Sequence, residues 1–407
     1  MIGHIDADSF FASVLARKHP SLRGKPVLAA GMGGGCVIAA SYEAKAKGVR
    51  TGMRMSDAIV LCPEAIRMDS DFRETGLASD QIESILQDQC PLVEQYSVDE
   101  WFLDLASLVG GVPKDCMLWA ESVRLDILRR THLSVSAGVG PSKLLAKMAS
   151  EYRKPGGVTV VDFEAGKMQG ALSIEEFLRS RPAAAIPGIG GKRTMHADRM
   201  NWKTAWDIAT ANSELLRQCF GRPGVDLKRE LLGERLSSVT RDSSPPKSIS
   251  RARSFSALRD GQVLWAHMLR HLEYTVLKMR RQNLACRGIS IWLRDGRYQY
   301  DSHHASLTQP LNTEEHLQPY IRRCFGSLYS KTQSYTQAGL SLWKLEPKGS
   351  TQLSLFEEPA NTMAIEDLQK SLDAIHERFG RDAVTKGSAL SVKSGTRQGF
   401  ELPVMNE

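Results

Sequence analysis

An acidic pair inside an apolar segment is the feature that most constrains this chain. Residues 96–105 read YSVDEWFLDL, with Asp99 and Glu100 in the middle. Burying two neighbouring carboxylates is costly unless a cation neutralises them. Strict strand alternation would send the two side chains to opposite faces. They converge only at a turn, which we predict between short strands at 93–98 and 101–105. The alternative is a solvent-exposed hairpin tip.

A second acidic segment opens the chain. An apolar strand predicted over residues 2–5 runs into Asp6 and Asp8 of the sequence HIDAD, and these side chains at i and i+2 should lean to one face. A helix is predicted over 10–17, with Asp8 or Ser9 as its N-cap. If the opening strand pairs with the acidic turn, three or four carboxylates meet at one sheet edge. That arrangement suits two-metal phosphoryl transfer, in which carboxylates hold two Mg²⁺ ions.

Length and composition limit the class of protein. A chain of 407 residues has room for two to four domains. No apolar run approaches the roughly 20 residues needed to span a bilayer, and the N-terminal sequence lacks the pattern of a signal peptide. Seven scattered cysteines without a CxxC pair favour reduced thiols over a zinc site. We therefore expect a cytoplasmic protein without a membrane partner.

Basic residues are concentrated in one part of the chain. Between Lys247 and Tyr300, eleven Lys and Arg residues stand against three acidic residues, which gives +8 compared with +7 for the whole chain. A patch of this sign and density indicates a polyanion partner. A solvated surface is the alternative, but such surfaces usually mix both signs. We therefore expect nucleic acid to bind this region.

The hydrophobic pattern predicts an α+β fold in several domains. Strands KPVLAAG and GCVIAAS flank a glycine-rich turn, and helix and strand patterns then alternate up to about residue 165. A purely helical region follows, and a polar, proline-containing segment reads as a linker. After it come strands with two helices, and finally a tail with the apolar cluster QLSLF and an amphipathic helix at about 365–379. The predicted boundaries are 1–165, 166–236, 237–250 for the linker, 251–346 and 347–407.

Two further motifs suggest phosphate contacts. In SYEAKAKGV, Tyr42 and Lys45 are spaced i, i+3 on one helical face. A hydroxyl and an ammonium group at that spacing suit a triphosphate, and a plain surface pair is the alternative. In IPGIGGKR, Gly188 and Gly190 form a Gly-x-Gly turn between two helices, a helix-hairpin-helix pattern whose amides can hold a DNA phosphate. Lys192 follows directly, although such turns also merely connect helices.

The motifs together resemble a known family. IDADSFFAS, SYEAKAKGV, YSVDEWFLDL, GVGPSKLLAKMAS, KPGG and IPGIG occur in this order, and the set is similar to the Y-family translesion DNA polymerases over roughly residues 1–345. The resemblance implies a right-hand fold with palm and fingers (1–165), a helical thumb (166–236) and a separate little-finger domain (251–346). It also implies template-directed, low-fidelity DNA synthesis across damaged bases, from dNTPs onto a primer 3′-OH, in a bacterial cytoplasm.

Catalytic residues are carried over from the family position by position. Asp6, Asp99 and Glu100 match the metal-binding catalytic carboxylates, and the Ala7 carbonyl matches a further ligand of two Mg²⁺ ions. Asp8 matches a position that varies in the family and is left out of the ligand set. The substrate positions are Phe11, which matches the steric gate against a ribose 2′-OH, Phe10 beside it, and the triphosphate contacts Tyr42, Lys45 and Lys154.

The family also implies macromolecular partners, namely primer–template DNA, a sliding clamp and candidate UmuD-like or recombinase accessory proteins. QLSLF is similar to the bacterial clamp-binding pentapeptide, with Gln352, Leu353, Leu355 and Phe356 as the contacts. The expected DNA contacts, beyond Gly188, Gly190 and Lys192, are Arg251, Arg253, Arg280, Arg281 and Arg287. Lys45 and the segments RARSFSA and AGLSLWKL resemble the UmuC branch, whereas KPGG and Asp8 resemble DinB. We lean towards UmuC and leave the branch open.

Two other functions compete with an active polymerase. A catalytically silent, ImuB-like adaptor could use the same fold, but it need not retain Asp6, Asp99 and Glu100. A metal-dependent nuclease would explain the carboxylates and the basic region. It would not explain Phe11, the glycine turn and the clamp peptide together.

Overall fold

Two compact units make up the part of the chain that the structure describes. The computed structural model describes residues 1–31, 34–163, 170–241, 245–348, 368–375, 378–379 and 383–384. The units divide between residues 243 and 244, inside the segment interpreted as a linker, and the other domain boundaries stay predictions. Across the described ranges, no helix is long and apolar enough to cross a bilayer.

A six-stranded mixed sheet is the centre of the first unit. Its strands are β1 (Ile2–Ala7), β5 (Val93–Gln95), β6 (Glu100–Asp104), β7 (Val135–Gly140), β8 (Val158–Asp162) and β9 (Leu172–Ser173). They lie in the order β5-β6-β1-β7-β8-β9, antiparallel from β5 to β7 and parallel from β7 to β9. All six residues of β1 are buried, as expected for a strand covered on both faces.

Helices cover both faces of this sheet. On one face, α4 (Phe72–Gln89) and α5 (Cys116–Thr131) share a core with alternate residues of the strands, such as Ile5 and Trp101. On the other face lies α6 (Lys143–Ser150). A Cβ atom at Gly138 of β7 would stand 2.1 Å from the Ala146 carbonyl oxygen. The backbones of α6 and β7 are therefore in direct contact, which fixes the position of the helix on the sheet.

A smaller three-stranded sheet lies in the same unit. Its strands are β2 (Val27–Ala30), β3 (Val37–Ala40) and β4 (Ile66–Asp69), in the order β3-β2-β4. Its helices are α1 (Phe10–Lys18), α2 (Tyr42–Ala46) and α3 (Met55–Leu61). The sequence predicted β2 and β3 but not β4, whose residues IRMD are only half covered. Partial burial leaves a weak hydrophobic signal.

The rest of the first unit is mainly helical. Its helices are α7 (Ile174–Arg179), α8 (Gly191–Arg199), α9 (Ala205–Thr210), α10 (Ser213–Phe220) and α11 (Arg222–Leu231). The prediction of a purely helical region is wrong at β9, where two residues pair in parallel with β8. A two-residue strand is too short to show an alternating pattern.

The second unit is a four-stranded antiparallel sheet with two helices. Its elements are β10 (Ser248–Leu258), α12 (Gly261–Arg281), β11 (Leu284–Asp295), β12 (Tyr300–Leu311), α13 (Glu314–Leu328) and β13 (Tyr335–Pro347). The strand order is β10-β13-β11-β12. Three strands and both helices were predicted, and β12 was missed. Its sequence is mostly polar and exposed because it forms a sheet edge.

The start of α1 differs from the sequence prediction. Ser9 is at the N-cap position, but its φ is 47° and its side chain makes no capping hydrogen bond. Ser9 is therefore the N-cap residue, as the sequence predicted, but it lacks the side-chain hydrogen bond that such a residue usually makes. Instead, the Ser13 hydroxyl donates to the Asp8 carbonyl oxygen at 2.6 Å.

The contact of α6 with β7 predicts a large effect of one methyl group. Gly138→Ala places a Cβ inside the distance at which backbone atoms repel, and overpacking of this kind costs about 1–3 kcal/mol. We expect the melting temperature of the first unit to fall by about 2 °C or more. Gly35→Ala is the control, because nothing lies within 4 Å of its Cβ position. Equal melting temperatures of the two variants would contradict the close contact.

Candidate active site and nucleic-acid surface

The acidic turn and the opening strand meet, as the sequence predicted. In the antiparallel pairing of β1 with β6, Asp6 lies directly opposite Glu100. The Ala7 N–H donates to the Asp99 carbonyl oxygen at 2.9 Å, which ties the turn to the end of β1. The predicted strand ends were less accurate, because β5 ends at Gln95 and Glu100 already belongs to β6. The pairing therefore gathers three carboxylates at one edge of the sheet.

Asp8 does not join this group. It follows the end of β1 and is 2 % exposed. Its carboxylate accepts hydrogen bonds from the hydroxyls of Ser134 and Ser136, both at 2.7 Å, and from the Gly156 N–H at 2.9 Å. The Tyr42 hydroxyl adds a fourth donor at 3.3 Å. Asp8 therefore lies one residue beyond β1, and its carboxylate oxygens are already satisfied by these donors.

Lysine ammonium groups neutralise the gathered carboxylates. Lys154 Nζ lies 2.6 Å from Asp6 Oδ1 and 2.6 Å from Glu151 Oε1. Lys147, on α6, forms an ion pair with Glu100. The sequence analysis missed Lys147. The signal was available, since it follows Lys143 by one helical turn in the motif GVGPSKLLAKMAS.

Burial makes the negative charges at this edge unfavourable. Burial raises the pKa of Asp6, and the neighbouring Glu100 adds to the rise, whereas Lys154 opposes it. Burial likewise raises the pKa of Asp99, against a hydrogen bond of 2.6 Å from the Ser97 hydroxyl. Buried carboxylates with raised pKa values require a cation to stay ionised. The lysines supply only part of that compensation, because the pKa of Asp6 stays raised to about 9 with Lys154 beside it.

The donor set at this edge fits a hard divalent metal ion. Asp6, Asp99 and Glu100 offer only oxygen ligands, which Mg²⁺ prefers. Within the described ranges, no three His, Cys, Asp or Glu side chains already stand in a metal-binding arrangement. Instead, Glu100 pairs with Lys147 and Asp6 with Lys154, while Asp99 accepts a hydrogen bond from the Ser97 hydroxyl. A metal ion at this edge would therefore take over charge neutralisation that the two lysines now provide.

A buried histidine lies between the carboxylates and α6. His4 Nδ1 is 2.8 Å from the Ser150 hydroxyl, which itself donates to the Lys147 carbonyl oxygen at 2.8 Å. The hydroxyl must then accept a hydrogen bond from the Nδ1–H. The Nε2 atom of the ring carries no proton and faces Glu100 Oε1 at 3.8 Å. Burial lowers the pKa of His4 well below its ordinary value, so the ring is neutral. The sequence analysis missed this residue, although it precedes Asp6 by two positions on the same strand face.

The two phenylalanines at the start of α1 have different surroundings. Phe10 is 2 % exposed and belongs to the main core of the unit. The prediction that it contacts the substrate is therefore wrong. Phe11 is partly exposed and packs edge-on against Phe72, with ring centroids 5.8 Å apart. Of the two rings, Phe11 alone has a face that a bound molecule could reach.

Tyr42 and Lys45 lie on one face of α2, as their spacing predicted. Lys45 Nζ is 4.5 Å from the centroid of the Tyr42 ring. Burial lowers the pKa of Lys45, and the charge of Lys154 lowers it further. The ammonium groups of Lys45 and Lys154 repel each other, and a polyanion bound between them would neutralise both charges. A triphosphate is such a group.

The glycine turn precedes α8. Gly188 has a φ of 90°, a value that favours glycine, and its carbonyl oxygen accepts from Arg193 Nη1 at 2.7 Å. Gly190 and Lys192 are exposed at the start of the helix, where the first amides have no intrahelical partner. The element before the turn is a short 3₁₀ helix, Ala183–Ala185, and not an α-helix.

The arginines expected to bind DNA do not share a surface. Arg251 stacks on Tyr274 of α12 at 4.2 Å, on the face of the sheet that carries the helices, and Arg253 two residues later shares that face. Arg280 pairs with Asp373 at 2.6 Å and Arg287 with Glu346 at 2.9 Å. Arg281 is exposed at the end of α12. The arginines therefore do not form a single lined face, and their contacts with DNA phosphates stay a prediction.

The opposite face of this sheet is open. Its charged groups include Arg294 and Lys344, whose Nζ lies 5.2 Å from the centroid of the Trp343 ring. Trp292 lies over Gly339 of the next strand, and Trp343 lies over Gly288. The Trp343 indole N–H donates to the Ser290 hydroxyl at 2.8 Å. Register places the remaining residues of this face in rows beside the indoles. They are Ser248, Ser250, Ala252, Ser254, Ser302, His304, Ser306, Gln337 and Ser341.

Comparison with known proteins identifies the family. The model of the impB/mucB/samB family matches residues 5–151, and the model of its C-terminal domain matches residues 246–355. A DNA polymerase IV of Methanoculleus marisnigri is 33 % identical over 77 % of this chain and 85 % of its own. A DNA polymerase IV of Staphylococcus epidermidis is 30 % identical over 87 % and 98 %. The chain belongs to the Y family of DNA polymerases.

Solved structures agree in fold. A Y-family DNA polymerase chimera superposes with a TM-score of 0.71, at 23 % identity, over 85 % of this chain and 99 % of that one. DinB from Sulfolobus solfataricus superposes with a TM-score of 0.58. This enzyme is thus a DNA-directed DNA polymerase with an α+β right-hand fold and a separate C-terminal domain. The relatives carry the name DNA polymerase IV, that of the DinB branch, and give the lean towards UmuC no support. The QLSLF contacts lie outside the described residues.

Substitution by asparagine should have opposite effects at Asp8 and at Asp99, both on stability and on metal affinity. In Asp8→Asn, an amide N–H₂ meets donors that expect an acceptor, and an unsatisfied buried donor costs about 1–3 kcal/mol. We expect a lower melting temperature with Mn²⁺ affinity retained. In Asp99→Asn, a buried carboxylate with a raised pKa loses its charge. We therefore expect an unchanged or higher melting temperature in EDTA with Mn²⁺ affinity lost. Thermal unfolding and Mn²⁺ titration by electron paramagnetic resonance measure both, and equal metal loss in the two variants would contradict the assignment.

Proposed function

We propose that this polymerase joins a dNTP to a primer 3′-OH with the help of two Mg²⁺ ions, and that it does so opposite damaged template bases. The observation that carries the proposal is the pairing of Asp6 with Glu100 on neighbouring strands, with Asp99 beside them. Together with the Ala7 carbonyl, these carboxylates would hold the metal ions. When bound, the ions would neutralise the reacting phosphate oxygens and activate the attacking hydroxyl.

The protein side chains around this edge would hold the nucleotide in place. Tyr42, Lys45 and Lys154 would bind the triphosphate, since the two ammonium groups face the same space. To bind the phosphates, Lys154 would exchange its present ion pair with Asp6 for contacts with the phosphate oxygens. The ring of Phe11 would stand against the sugar, where a 2′-OH would need room. The neutral His4, held by Ser150, would fill the space beside Glu100 without adding charge.

The contacts with DNA would be shared between both units. The amides after Gly188 and Gly190, with Lys192, suit a phosphate of the duplex. In the C-terminal domain we propose the open face with Trp292 and Trp343 in place of the predicted arginines. Its hydroxyl and indole N–H groups can reach phosphates without reading bases. A polymerase that must accept damaged template bases needs such sequence-independent contacts.

Further parts of the proposal rest on the family resemblance. The palm and fingers would be residues 1–165, the thumb 166–236 and the little finger 251–346. Recruitment by a sliding clamp would use Gln352, Leu353, Leu355 and Phe356, and UmuD-like or recombinase proteins are candidate partners. A bacterial cytoplasm is the expected location.

The competing functions explain less of the site. An adaptor without activity has no need for three carboxylates gathered at one place, two of which, Asp6 and Asp99, have pKa values raised by burial. A nuclease would use the carboxylates. It would have no use for the partly exposed ring of Phe11 or for the pair of Tyr42 and Lys45 on α2.

Primer extension tests the catalytic assignment. Asp99→Ala or Glu100→Ala should slow single-nucleotide incorporation by about 10²-fold or more, because each removes part of the charge that holds the metal ions. DNA affinity should stay close to that of the parent. Asp80→Ala, an exposed residue of α4, is the control and should extend normally. Extension at the parent rate by either active-site variant would refute the assignment.

Sugar discrimination tests Phe11 separately. Phe11→Ala should raise ribonucleotide incorporation by about tenfold or more relative to deoxynucleotides, because it opens the space beside the sugar. Phe10→Ala is the matched control. Its ring is in the core, so its loss should lower the melting temperature and leave discrimination unchanged. Should both variants exclude ribonucleotides as well as the parent does, the steric gate is another residue.

A further inference from the structure

The turn between β11 and β12 has an unusual residue at its tip. Residues 295–299 read DGRYQ, and the Asp295 carboxylate accepts from the N–H groups of Arg297 and Gln299, each at 2.8 Å. The Tyr298 N–H donates to the Asp295 carbonyl oxygen at 3.2 Å. One aspartate therefore organises the whole turn, and its charge is used on backbone amides. We call this segment, together with Arg294 and Tyr300, the tyrosine turn.

Tyr298 is not explained by the needs of the turn. Its φ is 64°, the left-handed region where hairpin turns place Gly or Asn. A bulky residue there strains the backbone. Its side chain gains little from packing, since the residue is 71 % exposed. A strained and exposed aromatic residue is a reason to look for a function.

The surroundings of Tyr298 complete a binding surface. Tyr300 is 56 % exposed, and the Arg294 guanidinium lies 4.9 Å from the Tyr298 ring and 5.9 Å from the Tyr300 ring. Arg294 Nε is held by the Thr336 hydroxyl at 3.1 Å, so the guanidinium has a fixed place between the rings. Arg297 is exposed at the tip. Asp301, the next acidic residue, alternates to the other side of β12. The turn therefore presents two aromatic rings and two positive charges.

We propose that the tyrosine turn binds single-stranded DNA by stacking unpaired bases on Tyr298 and Tyr300. Aromatic faces bind every base, and arginines beside them bind the backbone phosphates. In a duplex the base faces are hidden in the stack, so a convex tip cannot reach them. The inference rests on the proposed function, because a polymerase at work always has an unpaired template ahead of the primer. It adds a contact to that strand which needs no particular sequence.

Binding of the full chain to labelled DNA tests this directly. Fluorescence anisotropy with an oligothymidylate and with a blunt duplex separates the two forms of DNA. Tyr298→Ala/Tyr300→Ala should bind the single strand about tenfold more weakly, since one stacked base contributes about 1–3 kcal/mol. Its duplex affinity should not change. Tyr298→Phe/Tyr300→Phe keeps both rings and should bind as the parent does.

Three results would overturn the inference. They are unchanged single-strand affinity of the alanine variant, an equal loss for duplex and single strand, and a loss in the phenylalanine variant as large as in the alanine variant. An equal loss would indicate duplex contact, and the third result would indicate hydroxyl contacts instead of stacking. None of these results would affect the carboxylate assignment, which primer extension tests independently.

Two further variants separate binding from folding. Tyr298→Gly relieves the left-handed backbone, so the melting temperature should stay or rise while single-strand affinity falls. A lower melting temperature would make Tyr298 a structural residue and refute its assignment to binding. Arg297→Ala should weaken single-strand binding, and Arg323→Ala, an exposed arginine of α13, is the control of equal charge change. Equal effects of the two arginine variants would show that only net charge matters.

Discussion

The antiparallel pairing of β1 with β6 is the interaction on which the rest of the polymerase unit depends. It places Asp6 opposite Glu100 in an interior strand pair, where uncompensated charge is expensive. The compensating charge comes from α6. This helix can approach β7 closely only because Gly138 has no side chain. This approach brings Lys147 to Glu100. Metal binding, the packing of α6 and the register of β1 with β6 are therefore coupled. A change in any one of them should alter the other two.

The same constraint explains the roles of groups that do not react. Asp8 is kept from the metal edge by four donors, and those donors come from β7, α2 and the turn after α6. It therefore joins the strand that carries Asp6 to elements far away in sequence. His4 is neutral because burial lowers its pKa, so it can fill the space beside Glu100 without competing with the lysines. The site is built from two kinds of buried polar group, those left for a cation and those already satisfied.

The sequence predicted the parts of this structure that have local causes. The strand pair could be inferred because two carboxylates in apolar surroundings demand a common cation, and Tyr42 with Lys45 because helical spacing fixes one face. The surroundings of Phe10 and Asp8 could not, because their neighbours come from distant segments. The edge strand β12 carries too few apolar residues to show a period. The positive φ of Tyr298 could not be predicted either, because it depends on the length and hydrogen bonds of the turn and not on its composition.

The basic region shows most clearly what a charge count can and cannot give. Counting residues located the excess in the C-terminal domain, but counting does not say which face a side chain takes. Alternation along β10 puts Arg251 with Ile249 on the helix side, while Arg280 and Arg287 pair with carboxylates. Charges on the helix side still attract DNA over about one Debye length, roughly 8 Å at physiological salt. At contact, however, DNA on the open face would meet mainly hydroxyls and indoles, with Arg294 and Lys344 beside them. Long-range attraction and short-range contact would therefore come largely from different residues, and the long-range attraction should weaken more steeply with salt.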